Sequence, residues 1–302
     1  MVHKTIVSGT AEIWTEISGE GIPVVLSHGG PGLCDNLGGV AEMLADRFLT
    51  VRYDQRGCHR STAGTEPMSV ATLIEDMEAV RRSLGVEKWI VGGHSWGANL
   101  SLLYALEYPH RTQALLYLSG GGVDPNRVGS SLEQRRSRLT PDEWDELQNA
   151  LADPAEPGSE LHRENQMTAA RLFWLSDFSD RSAAPNFHTD PLYPVPRNGA
   201  VFSAVIGDFK TRVGAGVLSR MSELDVPALV LRGQDDPIAP ELVRQVAEHL
   251  PRSSYVELEG VGHTPWLERP ELLRAALDAF LAQSSSSAST TSPTWAPSSG
   301  RP

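Results

Sequence analysis

Two hydrophobic patterns alternate along the chain. Continuous apolar runs occur at Pro23–His28, Leu49–Asp54, Trp89–Gly92, Ala114–Leu118 and Ala228–Leu231, with a last one at Tyr255–Leu258. Runs that do not alternate with polar residues suit strands covered on both faces. Helical stripes lie between them. Ser69 can cap a helix whose inward face is Val70, Leu73, Met77, Val80 and Leu84. Pro240 fits the first turn of a helix burying Leu242, Val243, Val246, Ala247 and Leu250, and Pro270 opens one burying Leu273, Leu277, Phe280 and Leu281. Strand and helix in alternation predict an α/β fold, a mostly parallel central sheet with helices on both faces.

The alternation breaks between Asp124 and Ser222. That stretch has helix-like segments around 133–138, 141–151 and 166–175, then a Pro/Asn-rich passage from Pro185 to Asn198. Such a break reads as a helical cap inserted over the carboxyl ends of the strands, where α/β proteins enclose substrates. The expected organisation is a core of residues 1–123 and 223–282, a cap of 124–222, and a Ser/Thr/Pro-rich tail of 283–302. The tail has too little apolar surface to offset its ordering entropy, so it is expected to be disordered and dispensable for activity.

Composition narrows the partners. Of 302 residues, 38 are acidic and 26 basic, a formal net charge of -12. With no Lys/Arg-rich run, that balance argues against nucleic acid or an anionic membrane as a partner. A small molecule or a short peptide is the expected substrate. The first residues show no cationic stretch leading into an apolar run, and no window approaches the ~18 apolar residues of a membrane span. A cytoplasmic enzyme is expected. The two cysteines, Cys34 and Cys58, do not make a disulfide framework. They are expected as reduced thiols, although they sit on loops that a bridge could join. There is no H-E-x-x-H, no paired-cysteine spacing and no G-x-G-x-x-G after the first strand, so no metal and no nucleotide cofactor is expected.

Four separate stretches converge on one chemistry. Gly93-His94-Ser95-Trp96-Gly97 is a G-x-S-x-G element between an expected strand and an expected helix. A sharp strand-to-helix turn there lifts the Ser95 hydroxyl above the sheet, at the positive end of the helix. Its flanking glycines avoid clashes that a Cβ would cause. His28-Gly29-Gly30-Pro31-Gly32 can present bare N–H groups to an anion. The backbone N–H groups of Gly30 and Trp96 are assigned to an oxyanion hole, and His28 to holding the loop by hydrogen bonds. The acid and base follow in the chain order Ser, Asp, His. Asp236, after the run ending at Leu231, is taken as the acid, with Asp235 as its alternative. His263, after the last strand and preceded by a flexible Gly262, is the base.

These residues resemble those of the proline iminopeptidase family of α/β-hydrolases. The resemblance rests on HGGPG at His28–Gly32, on Asp54-Gln55-Arg56-Gly57, on Trp96 after the serine, and on Gly262-His263. It covers roughly Ile22–Leu118 and Val226–Leu281. It implies an α/β-hydrolase fold, a Ser95–His263–Asp236 triad acting through an acyl-enzyme, and release of an N-terminal residue. Asp54 and Arg56 are expected to form a structural ion pair. Two departures stand out. His59 occupies a position where a second glycine is usual, which is expected to reshape that loop. In the cap, the carboxylate that would hold a substrate's amino terminus has no clear counterpart in Arg171–Phe178. Glu164, Asp177 and Trp174 are the candidate substrate contacts, with Glu160 a further carboxylate, and ordinary packing is the competing role of Phe173, Trp174 and Phe178. An esterase, lactonase or amidase for a small metabolite is the alternative function. A ligand receptor that keeps the triad with negligible turnover is a third.

Overall fold

The computed structural model describes residues 1–125, 131–156, 158–185, 187, 197–213 and 216–286. Eight strands form one sheet: β1 (Val2–Ser8), β2 (Ala11–Ser18), β3 (Ile22–Ser27), β4 (Phe48–Tyr53), β5 (Trp89–His94), β6 (Thr112–Leu118), β7 (Ala228–Gly233) and β8 (Ser253–Leu258). Their order is β1-β2-β4-β3-β5-β6-β7-β8. From β4 to β8 every pairing is parallel, while β1 with β2 and β2 with β4 run antiparallel. The fold is that of an α/β protein with a mostly parallel sheet. The antiparallel hairpin β1–β2 was not visible as continuous apolar runs. Its edge strand β1 is mostly exposed, only Ile6 and Ser8 being buried, and His3, Lys4 and Thr5 interrupt any apolar run.

The helices among the described residues are α1 (Gly38–Leu44), α2 (Val70–Ser83), α3 (Trp96–Glu107), α4 (Ser131–Arg136), α5 (Pro141–Ala152), α6 (Glu160–Asp177), α7 (Gly199–Val213), α8 (Val217–Ser222), α9 (Pro240–His249), α10 (Pro265–Glu268) and α11 (Pro270–Ser286). Successive residues of each central strand feed opposite layers. Val25, Val51, Val91, Leu115 and Val230 pack with α2, α3 and α9 residues such as Met77, Leu102 and Val246. Val24, Leu26, Ile90, Leu116 and Leu229 pack on the other face with Val40, Leu44, Leu273 and Leu277. Burying a residue of this size stabilises the fold by roughly 1.5–3 kcal/mol. Ser69 caps α2 by accepting from the Thr72 N–H.

Helices α4 to α8 all lie between β6 and β7. The pair α5–α6 has its own small core of Leu139, Leu147, Ala150, Ala169 and Leu172. The stripe that drives α7 is Val201, Val205, Phe209 and Val213, all buried and spaced four apart as a helix face requires. Helix α11 continues to Ser286, past the point where the tail was expected to begin. Residues 287–302 lie outside the described residues.

Candidate active site

Ser95 sits between β5 and α3 with φ 55° and ψ -119°. A non-glycine residue in that region stores about 1–3 kcal/mol of strain and persists only where its surroundings enforce it. The flanking glycines show how. A Cβ on Gly97 would lie 1.9 Å from the Ser27 carbonyl oxygen, and one on Gly93 would lie 2.2 Å from that of Gly97. The turn is further pinned by the Ser95 N–H donating to the Leu118 carbonyl at 3.0 Å.

The glycine loop after β3 wraps over this turn. A Cβ on Gly29 would lie 3.2 Å from that of Ser95, and Gly29, Gly30, Ser95 and His263 line one cavity of about 450 Å³. Gly30 has φ 53°, a conformation that glycine adopts without penalty. Trp96 is the first residue of α3, where a backbone N–H has no acceptor within the helix.

His28 is fully buried and holds the loop. The Gln55 N–H donates to its Nε2 at 3.0 Å, which places the proton on Nδ1, and that nitrogen donates to the Gly29 carbonyl at 2.9 Å. Burial lowers its pKa and keeps the ring neutral. The Gln55 side chain donates to the His28 carbonyl at 2.8 Å and accepts from the Trp96 indole at 2.9 Å. One buried amide thus braces both segments that carry the oxyanion-hole candidates.

His263 is buried, and its Nδ1 donates to the Asp236 carboxylate at 2.9 and 3.0 Å. Burial opposes charge on this imidazole, but the Asp236 charge and hydrogen bond outweigh it, so its pKa is raised. Asp236 shows the opposite balance. Burial pushes it up, and the His263 interaction prevails to lower it. Asp235 points elsewhere: its carboxylate accepts from the Ser179 hydroxyl at 2.6 Å. Ser95 and His263 face the shared cavity without a hydrogen bond between them, a contact that commonly closes once substrate is seated. His94 packs against His263, ring centroids 4.5 Å apart, and donates Nε2–H to the His263 carbonyl at 2.8 Å. Burial, and then the neighbouring His263, push its pKa down to about 3.

Gly262 is not there for flexibility. A Cβ on it would lie 2.0 Å from the Asp177 carbonyl oxygen, and that oxygen accepts the His263 N–H at 2.7 Å. The loop bearing His263 is stitched to the end of α6.

The three cap candidates separate. Trp174 lines the cavity, nearly fully buried and edge-on to Phe178 at 4.6 Å between centroids. Asp177 also lines it, but Arg135 pairs with its carboxylate at 2.6 Å. Glu164 is exposed on α6, away from the cavity, because it falls on the helix face opposite Gln166, Ala169, Ala170 and Phe173. Glu160 is exposed as well. Sequence reasoning missed Asp153 and His162, a cavity pair joined at 2.6 Å, and Arg197 and Phe202. The expected Asp54–Arg56 pair does not form. Arg56 turns to Asp76 at 2.5 Å and Glu66 at 2.6 Å, while Asp54 binds Arg60, so each charge finds its partner elsewhere. His59 takes φ 42°, the left-handed geometry that the usual glycine would supply, and does not line the cavity. Cys34 and Cys58 are buried thiols that form no disulfide, and burial pushes both up to about 12. Among the described residues no cluster of His, Cys, Asp and Glu could hold a metal, and no helix is long and apolar enough to cross a membrane.

The sequence profile of the alpha/beta hydrolase fold matches residues 22–270. The chain belongs to the alpha/beta hydrolase fold family. Within it the chain is proline iminopeptidase-like, and it is a hydrolase. It is 26% identical over 286 residues to the proline iminopeptidase of Lactobacillus delbrueckii subsp. lactis, covering 89% of this chain and 94% of that one. It is 35% identical over 169 residues to that of a Neisseria meningitidis strain, covering 54% and 52%. Among solved structures it matches a Mycobacterium smegmatis proline iminopeptidase at TM-score 0.67 and 22% identity, covering 94% and 98%. An esterase from Thermogutta terrifontis matches at 0.68 and 21%, covering 94% and 99%. Shape alone therefore places an iminopeptidase and an esterase equally near this hydrolase.

Proposed function

We propose that this protein is a serine hydrolase working through an acyl-enzyme, with Ser95 as nucleophile, His263 as base and Asp236 as the acid behind it. The observation that carries the reading is the strained Ser95 turn facing the same cavity as an imidazole already bonded to a buried carboxylate. His263 Nε2 takes the Ser95 proton as Oγ attacks the carbonyl, and Asp236 stabilises the imidazolium. The oxyanion settles on the Gly30 and Trp96 N–H groups, each worth roughly 3–4 kcal/mol in barrier. His263 then protonates the leaving group, and water deprotonated by His263 releases the acid.

Release of an N-terminal residue from a short peptide is the first bond type to test, supported by the iminopeptidase relatives. A specific observation favours a second reading, hydrolysis of a small ester or lactone. Both cap carboxylates in the cavity are already engaged, Asp177 by the Arg135 guanidinium and Asp153 by hydrogen bonds with His162 and Asn165, so neither is left unpartnered for a substrate ammonium. The test is hydrolysis of proline 4-nitroanilide, its N-acetylated form and 4-nitrophenyl acetate by wild type and Ser95→Ala. Preference for the free amine, abolished by Ser95→Ala, supports the aminopeptidase. Turnover of the ester alone, with the same dependence, supports the esterase. Undiminished turnover by Ser95→Ala overturns the mechanism.

A further inference from the structure

Among the described residues, each carboxylate lining the cavity has a partner, and one guanidinium has none. Arg135 meets Asp177 at 2.6 Å, His162 meets Asp153 at 2.6 Å, and His263 meets Asp236 at 2.9 Å. Arg197 lines the same cavity as Gly30 and Ser95. Among the described residues no carboxylate, carbonyl or hydroxyl engages its guanidinium. Its contact is the face of Phe202, 4.2 Å from guanidinium carbon to ring centroid, and Phe202 lines the cavity too.

The segment carrying Arg197 is held in place. The next residue, Asn198, donates its N–H to the Gly32 carbonyl at 2.8 Å and its side-chain amide to the Gly57 carbonyl at 3.0 Å. A Cβ on Gly32 would lie 3.3 Å from Arg197 Cγ, so the arginine stem runs along the glycine loop. Helix α7 begins two residues on, and its early residues Gly199 and Ser203 line the cavity as well. A helix amino end adds positive potential to that wall.

We infer that Arg197 anchors a carboxylate of the substrate, so that this hydrolase selects molecules carrying one anionic group beside the scissile carbonyl. The inference rests on the serine-hydrolase reading for its chemistry. A partly buried guanidinium without a counter-charge is costly, and a carboxylate that accepts two parallel N–H bonds from its planar fork removes that cost. Burial already lowers the Arg197 pKa, and among the described residues no carboxylate opposes it. One free cation matches one carboxylate. A phosphate dianion would need a second, and the nearest candidate, Arg135, is committed to Asp177. The carboxylate has two possible sources, the acyl group of a dicarboxylic monoester or the leaving group, as in a peptide's free carboxyl end.

Two matched substrate pairs distinguish the sources. 4-Nitrophenyl hydrogen adipate against its methyl ester tests the acyl side, and 3-acetoxybenzoate against its methyl ester tests the leaving group. The wild type is expected to prefer the carboxylate in one pair by roughly tenfold or more in kcat/KM, the value of one charge-assisted pair, expressed mainly in KM. Arg197→Gln brings that ratio towards one, and Arg197→Lys retains part of it. A ratio near one in both wild-type pairs, or one that survives Arg197→Gln, overturns the inference. Calorimetry with Ser95→Ala reads binding without turnover. Tighter binding of 3-acetoxybenzoate or monomethyl adipate than of the fully esterified forms, lost in Ser95→Ala/Arg197→Gln, supports it even if neither pair is hydrolysed, and equal binding overturns it. Turnover that persists in Ser95→Ala sinks the serine mechanism instead, and the wild-type ratio still decides Arg197.

Discussion

Trp96 donates its indole N–H to the side-chain oxygen of Gln55 at 2.9 Å. Trp96 opens α3 and Gln55 follows β4, and the same amide of Gln55 also reaches the His28 carbonyl at 2.8 Å. Gln55→Leu removes both bonds and leaves a buried carbonyl unsatisfied, at about 1–3 kcal/mol. The expected outcome is a folded protein whose kcat on an activated ester falls by roughly ten- to a hundredfold, within the loss caused by misplacing one oxyanion donor. Far-UV circular dichroism with steady-state kinetics checks it, and an unchanged kcat would show that the brace is dispensable.

Activity and this site's electrostatic stability run in opposite directions with pH. The His263 pKa is raised in the folded protein, so its pairing with Asp236 stabilises fully below the unfolded histidine value of about 6.5 and fades as pH rises through the higher folded value. Catalysis needs the neutral ring. The kcat/KM profile is therefore expected to fall on the acid side with an apparent pKa above about 6.5. Asp236→Asn removes the main opposition to burial, which should move that limb to lower pH and reduce kcat by roughly 10⁴-fold. A limb that stays put in Asp236→Asn would separate it from His263.

Glycines in this chain differ sharply in what they tolerate. Gly97→Ala would force a methyl within 1.9 Å of a backbone oxygen, and is expected to destabilise by more than about 3 kcal/mol. Gly207→Ala meets nothing within 4 Å on α7, and should stabilise by about 0.5–1 kcal/mol through helix propensity. Urea titrations of the two variants read opposite signs if the elbow is sterically closed.

Arg56 has its charge met by Asp76 at 2.5 Å and Glu66 at 2.6 Å, with Asp76 almost wholly buried. Arg56→Ala strands a buried carboxylate and is expected to cost about 3–5 kcal/mol. Arg56→Met with Asp76→Leu, which removes both charges, should recover most of that loss, a comparison thermal melts can make.

The parallel strands and the helices around them were legible because each buried strand is a continuous apolar run and helices such as α2 show an unbroken stripe. Chain order pointed to the Asp235–Asp236 pair and the spacing from Gly233 to Asp236, and the structure joins Asp236 to His263. The hairpin β1–β2 was not seen, since β1 is an edge strand with few buried residues and His3, Lys4 and Thr5 break its apolar pattern. Helix α7 carried a signal, four buried residues at a spacing of four, that its glycines and valines obscure as propensity. Glu164 was chosen for its charge, and charge says nothing about which side of a helix faces a cavity. Arg197 gave no sign in the sequence, because an uncompensated cation is a property of its neighbours, and these come from distant loops.

The bond from the His263 N–H to the Asp177 carbonyl, with Gly262 pressed against the same peptide, makes cap and base a single mechanical part. The last turn of α6 is, in effect, the far bank of the catalytic loop. Lifting that end of the cap would pull on the imidazole proposed as the base, through the His263 N–H to Asp177 carbonyl bond. A cap grafted from a relative would have to reproduce one peptide plane to within the reach of a hydrogen bond. Specificity in this chain is thus not a detachable accessory of the core, and exchanges that respect the 177–179 backbone are the ones that should keep a working site.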